Sequence, residues 1–218
     1  MIRATLALVA AVAIAVGCGP SRRLPSAADR LDTVASAAAE AAEELRIGRA
    51  ALAREDRLAA FERGLAAAER CSAIAPSDPT CDYWVGFALL LRARELRAGA
   101  APTIPRLRTA LERVAAEAPE MEGGGADRNL ALLYAEAPKP PFGPGNPARA
   151  VAHARRALEI APLHPGNSYA LGAALAALGR AEEALAAYGR AADLARAASD
   201  LDDRTWLRQA EAALSGSR

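Results

Sequence analysis

Apolar and polar positions alternate with the period of an amphipathic α-helix over most of the 218-residue chain. Short segments that end in proline interrupt this pattern at a regular interval. "AIAP" ends at Pro76, "AEAP" at Pro119 and "EIAP" at Pro162, each 43 residues after the last. Proline ends a helix because it lacks a backbone N–H and disfavours helical geometry in the residue before it. The pattern therefore predicts an internal repeat of helices joined by turns.

The segment after Pro162 carries small and large residues at the spacings of a tetratricopeptide repeat. Small residues let the two helices of a hairpin approach closely, and larger ones fill the space between hairpins. We predict an all-α fold, a tetratricopeptide-like α-solenoid of helical hairpins that forms a single domain over residues 26–218. A last apolar stripe predicts a C-terminal capping helix. The repeat positions are Leu171, Gly172, Gly179, Ala184, Tyr188 and Ala191, and the stripe is Trp206, Leu207, Ala210 and Leu214.

A proline-rich stretch, "PKPPFGPGN", enlarges the turn between two helices of one hairpin. An ordinary turn between helices needs no such length. Proline restricts the loop, which favours a rigid surface projection that carries Lys139 and Phe142. The alternative is a tolerated insertion without a role.

The N-terminus has the pattern of a bacterial lipoprotein signal peptide. Arg3 is followed by about a dozen mostly apolar residues, too few for the ~20 that a transmembrane helix needs, and "AVGC" closes the segment. We expect a signal peptide at 1–17, lipidation of Cys18 and a linker over 18–25. The chain would then contact the membrane through its lipid anchor only. Gly19 favours the outer membrane, facing the periplasm of a Gram-negative bacterium.

Charge and compartment argue against a nucleic-acid partner. Removing Arg3 with the leader leaves 26 basic residues against 26 acidic ones. Export to an oxidising compartment makes a disulfide between Cys71 and Cys81 one expectation, and two buried free thiols the other. Only two histidines are present, neither at ligand spacing to a cysteine, so we predict no metal site and no cofactor.

Nothing in the sequence has the arrangement of a catalytic site, so we predict a non-enzymatic protein. Adjacent acids such as Glu182 and Glu183 project from a helix at different angles and indicate solvated surface. No serine or cysteine has a histidine at a spacing that would make it a nucleophile.

Residues 123–167 resemble the TatT family, the T component of tripartite ATP-independent periplasmic (TRAP) transporters. That family has a double glycine and an arginine at the start of a helix, a tyrosine near its end, and then a proline-rich turn with glycine. An aromatic pair lies on an earlier helix. The corresponding residues here are Tyr83, Trp84, Gly124, Gly125, Arg128, Tyr134, Pro138, Pro141 and Gly145.

The resemblance implies a periplasmic lipoprotein that performs no chemistry, assembles as a homotrimer and pairs with the substrate-binding P component. It also implies help in the capture of a small organic or apolar ligand. Two other hypotheses remain. One is a structural scaffold for outer-membrane, secretion or envelope assembly, and the other is a lipid-anchored carrier of an apolar ligand.

Candidate contact residues lie on first helices, because solenoids usually bind along the concave face that these helices form. They are Tyr83, Trp84, Asn129 and Tyr134. The alternatives are core packing for the aromatic residues and a helix-terminus role for Asn129. Arg128 could bind a ligand carboxylate through both nitrogens, cap a neighbouring helix or pair with Glu136.

Overall fold

The computed structural model describes residues 27–198 and 201–216, and the predicted leader, Cys18 and linker lie outside these ranges. The described part is all-α and has no strand. A 3₁₀ helix (Arg97–Thr103) follows the third helix. The α-helices are α1 (Ala27–Ala50), α2 (Arg54–Ile74), α3 (Pro79–Leu96), α4 (Ile104–Glu117), α5 (Gly125–Glu136), α6 (Pro147–Ile160), α7 (Pro165–Leu178), α8 (Ala181–Ala197) and α9 (Leu201–Gly216).

Proline and a preceding capping residue begin several of these helices. The Asn146 side chain accepts a hydrogen bond from the Arg149 amide at 3.1 Å, directly before Pro147. Asp78 accepts one from the Thr80 amide at 2.8 Å, directly before Pro79. Both arrangements satisfy an amide that the first turn of a helix leaves without a partner. The 43-residue spacing of the "AP" segments thus corresponds to the ends of α2, α4 and α6.

Consecutive helices pack as antiparallel neighbours, in the hairpins α1/α2, α3/α4, α5/α6 and α7/α8. Glycines permit the closest approaches. A Cβ atom on Gly172 would lie 2.6 Å from the Tyr188 ring, and one on Gly86 would lie 2.7 Å from Leu111. Helix α9 covers the last hairpin and buries Ala210. The predicted tetratricopeptide-like solenoid with a C-terminal capping helix is confirmed.

The first helices of the hairpins form an inner layer together with α9. Each contacts the next, in the order α1, α3, α5, α7 and α9. Helices α1 and α9 also contact each other, so the inner layer closes on itself. Arg49 Nη1 lies 2.8 Å from Asp202 Oδ1, and the Arg208 guanidinium donates to the Arg49 carbonyl at 3.3 Å. The first and the last helix of the described ranges therefore meet.

Cys71 and Cys81 are joined by a disulfide, with their Cα atoms 5.3 Å apart. The bridge connects the last turn of α2 to the first turn of α3, and both cysteines are fully buried. Val34, Ala37 and Ala38 of α1 pack against the pair. The bridge thus fixes the corner where the first hairpin joins the second.

None of the helices in the described ranges combines the length and the apolar character that crossing a membrane requires.

Candidate functional site

A cavity of about 510 Å³ opens on the inner face of the solenoid. Its walls come from α1, α3 and α9, from the turn before α5 with the first residues of that helix, and from the residue before α7. Because α1 and α9 both contribute, closure of the inner layer builds the cavity. The lining residues are Ala39, Ala42, Glu43, Arg46, Arg49, Tyr83, Trp84, Phe87, Glu122, Arg128, His164, Asp202, Asp203 and Trp206.

Aromatic side chains form one wall of this cavity. The Tyr83 and Trp84 rings meet edge to face with centroids 4.9 Å apart, and the Phe87 ring lies 5.9 Å from Tyr83. The three residues are close in sequence on α3. Trp206 approaches from α9, where it also packs against Tyr169 at 5.6 Å. The wall offers flat apolar surface to a ligand.

Helix α1 contributes two arginines to the cavity lining, and Arg49 is the more buried of them. Its side chain is only 8% exposed and forms an ion pair with Asp202. The guanidinium carbon lies 4.7 Å from the Trp206 ring centre and 5.8 Å from the Phe87 ring centre. Its Nη2 atom has no hydrogen-bond partner. Burial lowers the pKa of Arg49, and Asp202 opposes this shift.

Arg128 anchors the turn between α4 and α5. The residue is 5% exposed, and its Nη1 donates to the carbonyls of Glu122 at 3.2 Å and Gly123 at 3.4 Å. It also donates to Asn167 Oδ1 at 3.0 Å. The carbonyls belong to the turn before its own helix, so Arg128 does not cap a neighbouring helix. Glu136 pairs with Arg94 instead.

Two glycines let this turn come close to its neighbours. Gly124 has φ of 77°, a left-handed conformation that glycine adopts without strain, and a Cβ atom there would lie 3.0 Å from the Ala157 backbone of α6. A Cβ on Gly125 would lie 2.6 Å from the Tyr83 hydroxyl. The double glycine therefore brings the start of α5 against α3 and α6, beside the cavity.

Asn167 connects α7 to the same turn, and the sequence did not identify it. Its fully buried amide nitrogen lies within hydrogen-bond distance of the carbonyls of Gly123 at 3.0 Å, Ala157 at 2.8 Å and Ala161 at 3.0 Å. The adjacent Gly166 leaves room for Trp206, since a Cβ there would lie 2.6 Å from that ring. These contacts hold α5, α6, α7 and α9 together behind the cavity.

The contact residues predicted from the sequence lie in three places: the cavity lining, the buried core and the loop after α5. Tyr83, Trp84 and Arg128 line the cavity. Asn129 and Tyr134 do not line it. Tyr134, on α5, is buried against α4 and α6, where it donates to Glu112 at 3.0 Å and stacks on the His153 ring. Asn129 is fully buried, and its amide atoms lack a partner of regular hydrogen-bond geometry.

Lys139 and Phe142 lie in the proline loop, which we define as residues 137–146 between α5 and α6. Both are exposed, and the Phe142 side chain is 85% accessible to solvent. Two backbone hydrogen bonds of 2.8 Å close the base of the loop, from Gly145 to Pro138 and from Asn146 to Tyr134. A second cavity, of about 560 Å³, lies beneath the loop and is lined by Leu90, Ile104, Leu133, Phe142 and Pro144 among others.

The proline loop belongs to one edge of the solenoid, which we call the proline edge. It consists of the turns that follow the first helices, at residues 51–53, 97–103, 137–146 and 179–180. Ion pairs run along it, Arg57 with Glu95 at 2.7 Å and Arg94 with Glu136 at 2.9 Å. The two most exposed large apolar side chains described, Leu52 at 92% and Phe142, both lie on this edge.

Several residues at the cavity were not identified from sequence, among them Arg49, His164 and Asp202. Trp206 was predicted only as part of the capping helix. The ion pair between Arg49 and Asp202 joins residues 153 positions apart, so no local spacing signals it. Within the described ranges, histidine, cysteine and carboxylate side chains do not gather in groups of three or more that could hold a metal ion.

No protein-family model matches the chain, and no curated protein matches its sequence. Among solved structures, the chain is similar to TTC0263, described as a thermophilic TPR (tetratricopeptide-repeat) protein of Thermus thermophilus. The two are 19% identical, the likeness covers 79% of this chain and 99% of the other, and the TM-score is 0.40. The helices and their packing by themselves define the tetratricopeptide-like fold.

Proposed function

We propose that this chain is a periplasmic lipoprotein that acts as the T component of a TRAP transporter. In this role it binds the substrate-binding P component on its surface and holds a small organic or apolar ligand in the inner cavity. It acts by binding and not by catalysis, and it assembles as a homotrimer. Helical-repeat folds generally serve as scaffolds that present extended surfaces to protein partners, which supports a binding role.

One observation carries the proposal: five of the residues behind the family resemblance lie at the cavity, three of them in its lining and two in the turn beside it, whereas Tyr134 and the proline turn lie elsewhere. Gly124 and Gly125 bring the start of α5 against α3 and α6, and Arg128 holds the same turn closed. Tyr83 and Trp84, the aromatic pair, form the facing wall. A repeat protein that only needed a surface for partners would not require these residues to converge on an enclosed space.

The proline loop is the surface that we propose for the P component. Phe142 is a large, almost fully exposed aromatic side chain on a loop whose base is closed by hydrogen bonds. Exposed aromatic residues on such supported segments are frequent centres of protein interfaces. Lys139, the only lysine of the chain, lies beside it and adds a positive charge.

The test is binding of the full chain to the P components of TRAP transporters encoded in the same genome, measured by biolayer interferometry. We expect Phe142→Ala to weaken binding at least tenfold. The matched control is Leu163→Ala, which removes an exposed side chain (72%) from the opposite edge, in the turn before α7. It should change binding less than twofold.

Failure of the unmodified chain to bind any such P component would contradict the proposal. Native mass spectrometry of the same sample reports the oligomer, and a monomer at all concentrations would contradict the trimer.

A further inference from the structure

Two guanidinium groups lie against the same indole ring at the buried part of the cavity. The guanidinium carbon of Arg49 is 4.7 Å from the Trp206 ring centre, and that of Arg128 is 5.9 Å from it. The Arg49 side chain is 8% exposed, and Arg128 is 5% exposed. Two like charges in a poorly solvated place repel each other, and Arg128 indeed contributes to the lowered pKa of Arg49.

The carboxylates that line the cavity do not neutralise Arg49 and Arg128 at its buried end. Asp202 pairs with Arg49, but its side chain is about half exposed. Glu43 is exposed and pairs with Arg46, and the Glu122 side chain is exposed as well. Asp203 is half-buried in the first turn of α9. The acids therefore lie toward the opening, and the buried part keeps an excess of positive charge.

Donors without partners accompany this excess charge. Arg49 Nη2 and Arg128 Nε are both buried and have no hydrogen-bond partner. A buried donor of a charged group without an acceptor is costly, and proteins rarely keep one unless something else supplies the acceptor. The planar guanidinium matches a carboxylate, which accepts two parallel N–H bonds from it.

We propose that the cavity binds a small organic acid whose carboxylate is held by Arg49 and whose apolar body lies against the rings of Tyr83, Trp84, Phe87 and Trp206. Arg128 adds positive potential beside Arg49 and keeps its bonds to the turn before α5. A single negative charge balances the two arginines and Asp202. A cavity of about 510 Å³ falls within the range of sites for small ligands. The inference rests on the proposed function only in taking the cavity as the ligand site.

Trp84 and Trp206 are the only tryptophans of the chain, and both line the cavity, so their fluorescence reports binding directly. The probe is phenylacetate, titrated into the full chain in detergent. The control ligands are phenylacetamide, a neutral analogue, and phenethylammonium, a cationic analogue. Cyclohexylacetate and its amide repeat the comparison without an aromatic ring. We expect saturable changes with both acids and at least tenfold weaker binding of the amides and the ammonium.

Arg49→Met should weaken binding of phenylacetate at least tenfold, with Arg49→Lys intermediate because it keeps the charge but not the planar pair of donors. The matched control is Arg63→Met on α2, an exposed arginine that pairs with Glu44 and does not line the cavity; it should change binding less than twofold. Circular dichroism on each variant checks the fold, and Arg49→Lys tests the proposal if Arg49→Met does not fold. Equal binding of an acid and its amide, or no binding of either acid at 10 mM, would overturn the inference.

The same variants separate this inference from the proposed function. If Arg49→Met loses phenylacetate but still binds the P component, both proposals stand. If the unmodified chain binds the acids but no P component, the transporter role fails and the acid site remains.

Discussion

At the scale of single residues, burial of the four tyrosines leads us to predict that the stability of the fold depends on pH. Burial is the largest cause that raises the pKa of Tyr83, Tyr134, Tyr169 and Tyr188 above its ordinary value. For Tyr188 the pKa rises to about 12, with Tyr169 and Glu136 adding to the effect of burial. The folded state therefore keeps phenolic protons at a pH where an unfolded chain, with tyrosine pKa values near 10, releases them.

The sign of the effect follows from this difference. Stability from the tyrosines is fully present below about pH 10, and it is lost as the pH rises toward the higher pKa values of the folded state, because the unfolded chain then binds fewer protons. We expect the urea midpoint to fall between pH 9 and pH 11. The Tyr188→Phe variant has no phenol to ionise at this position, so its urea midpoint should fall less over that interval. An unchanged midpoint in the unmodified chain would contradict the prediction.

Arg128 illustrates why a residue's role cannot be taken from its type. Its sequence position allowed a ligand contact, a helix cap or a pair with Glu136. Its observed contacts depend on Gly123 having a left-handed backbone and on Asn167, 39 residues further along the chain. Neither feature has a local sequence signal, so these contacts could not be predicted from the sequence.

At the scale of elements, the disulfide makes a prediction about the corner between α2 and α3. Cys71 and Cys81 are 10 residues apart, and closing a loop of that length contributes roughly 2 to 3 kcal/mol to the free energy of unfolding in the chain-entropy model. We expect the double variant Cys71→Ala, Cys81→Ala to lose about that much in urea denaturation.

Reductant provides the control for the disulfide prediction. It should destabilise the unmodified chain by a similar amount and leave the double variant unchanged. Equal stability of the oxidised and reduced chain would show that the bridge does not stabilise this corner.

Sequence reasoning predicted the hairpins well because their signals are local. Prolines end the helices, small residues mark the close contacts, and capping side chains begin α3 and α6. It did not predict the closed inner layer. Contact between α1 and α9 depends on the rotation of each hairpin relative to the one before it. These rotations add up over the whole chain, so no single sequence position indicates the contact. Arg49 and Trp206 became candidate site residues only through that contact.

At the scale of the whole molecule, closure of the inner layer restricts what the solenoid can hold. An open solenoid offers a groove for a helix or an extended peptide. Here the space between the inner helices is a cavity of about 510 Å³ with buried arginines and aromatic rings. Such a volume suits a small molecule. Protein partners are then left to the outer surfaces, among which the proline edge carries Leu52 and Phe142.

The predicted lipid anchor would limit how far the start of α1 lies from the membrane. Helix α1 begins at Ala27, nine residues after Cys18, and nine residues span at most about 30 Å when fully extended. The helix then runs for 24 residues, about 36 Å, to the turn at 51–53 on the proline edge. A chain anchored at Cys18 would keep the start of α1 within about 30 Å of the bilayer, and it would leave the proline edge, at the other end of α1, free to face a periplasmic partner.

Membrane fractionation of cells that express the full chain tests this arrangement. We expect the unmodified chain in the outer-membrane fraction and the Cys18→Ala variant outside it, because several acyl chains make attachment effectively stable and their loss removes it. Cys81→Ala is the matched control, since it removes a different cysteine and should leave the chain with the membrane. If Cys18→Ala fractionates like the unmodified chain, the anchor prediction is wrong. Nothing would then limit the distance between the start of α1 and the bilayer.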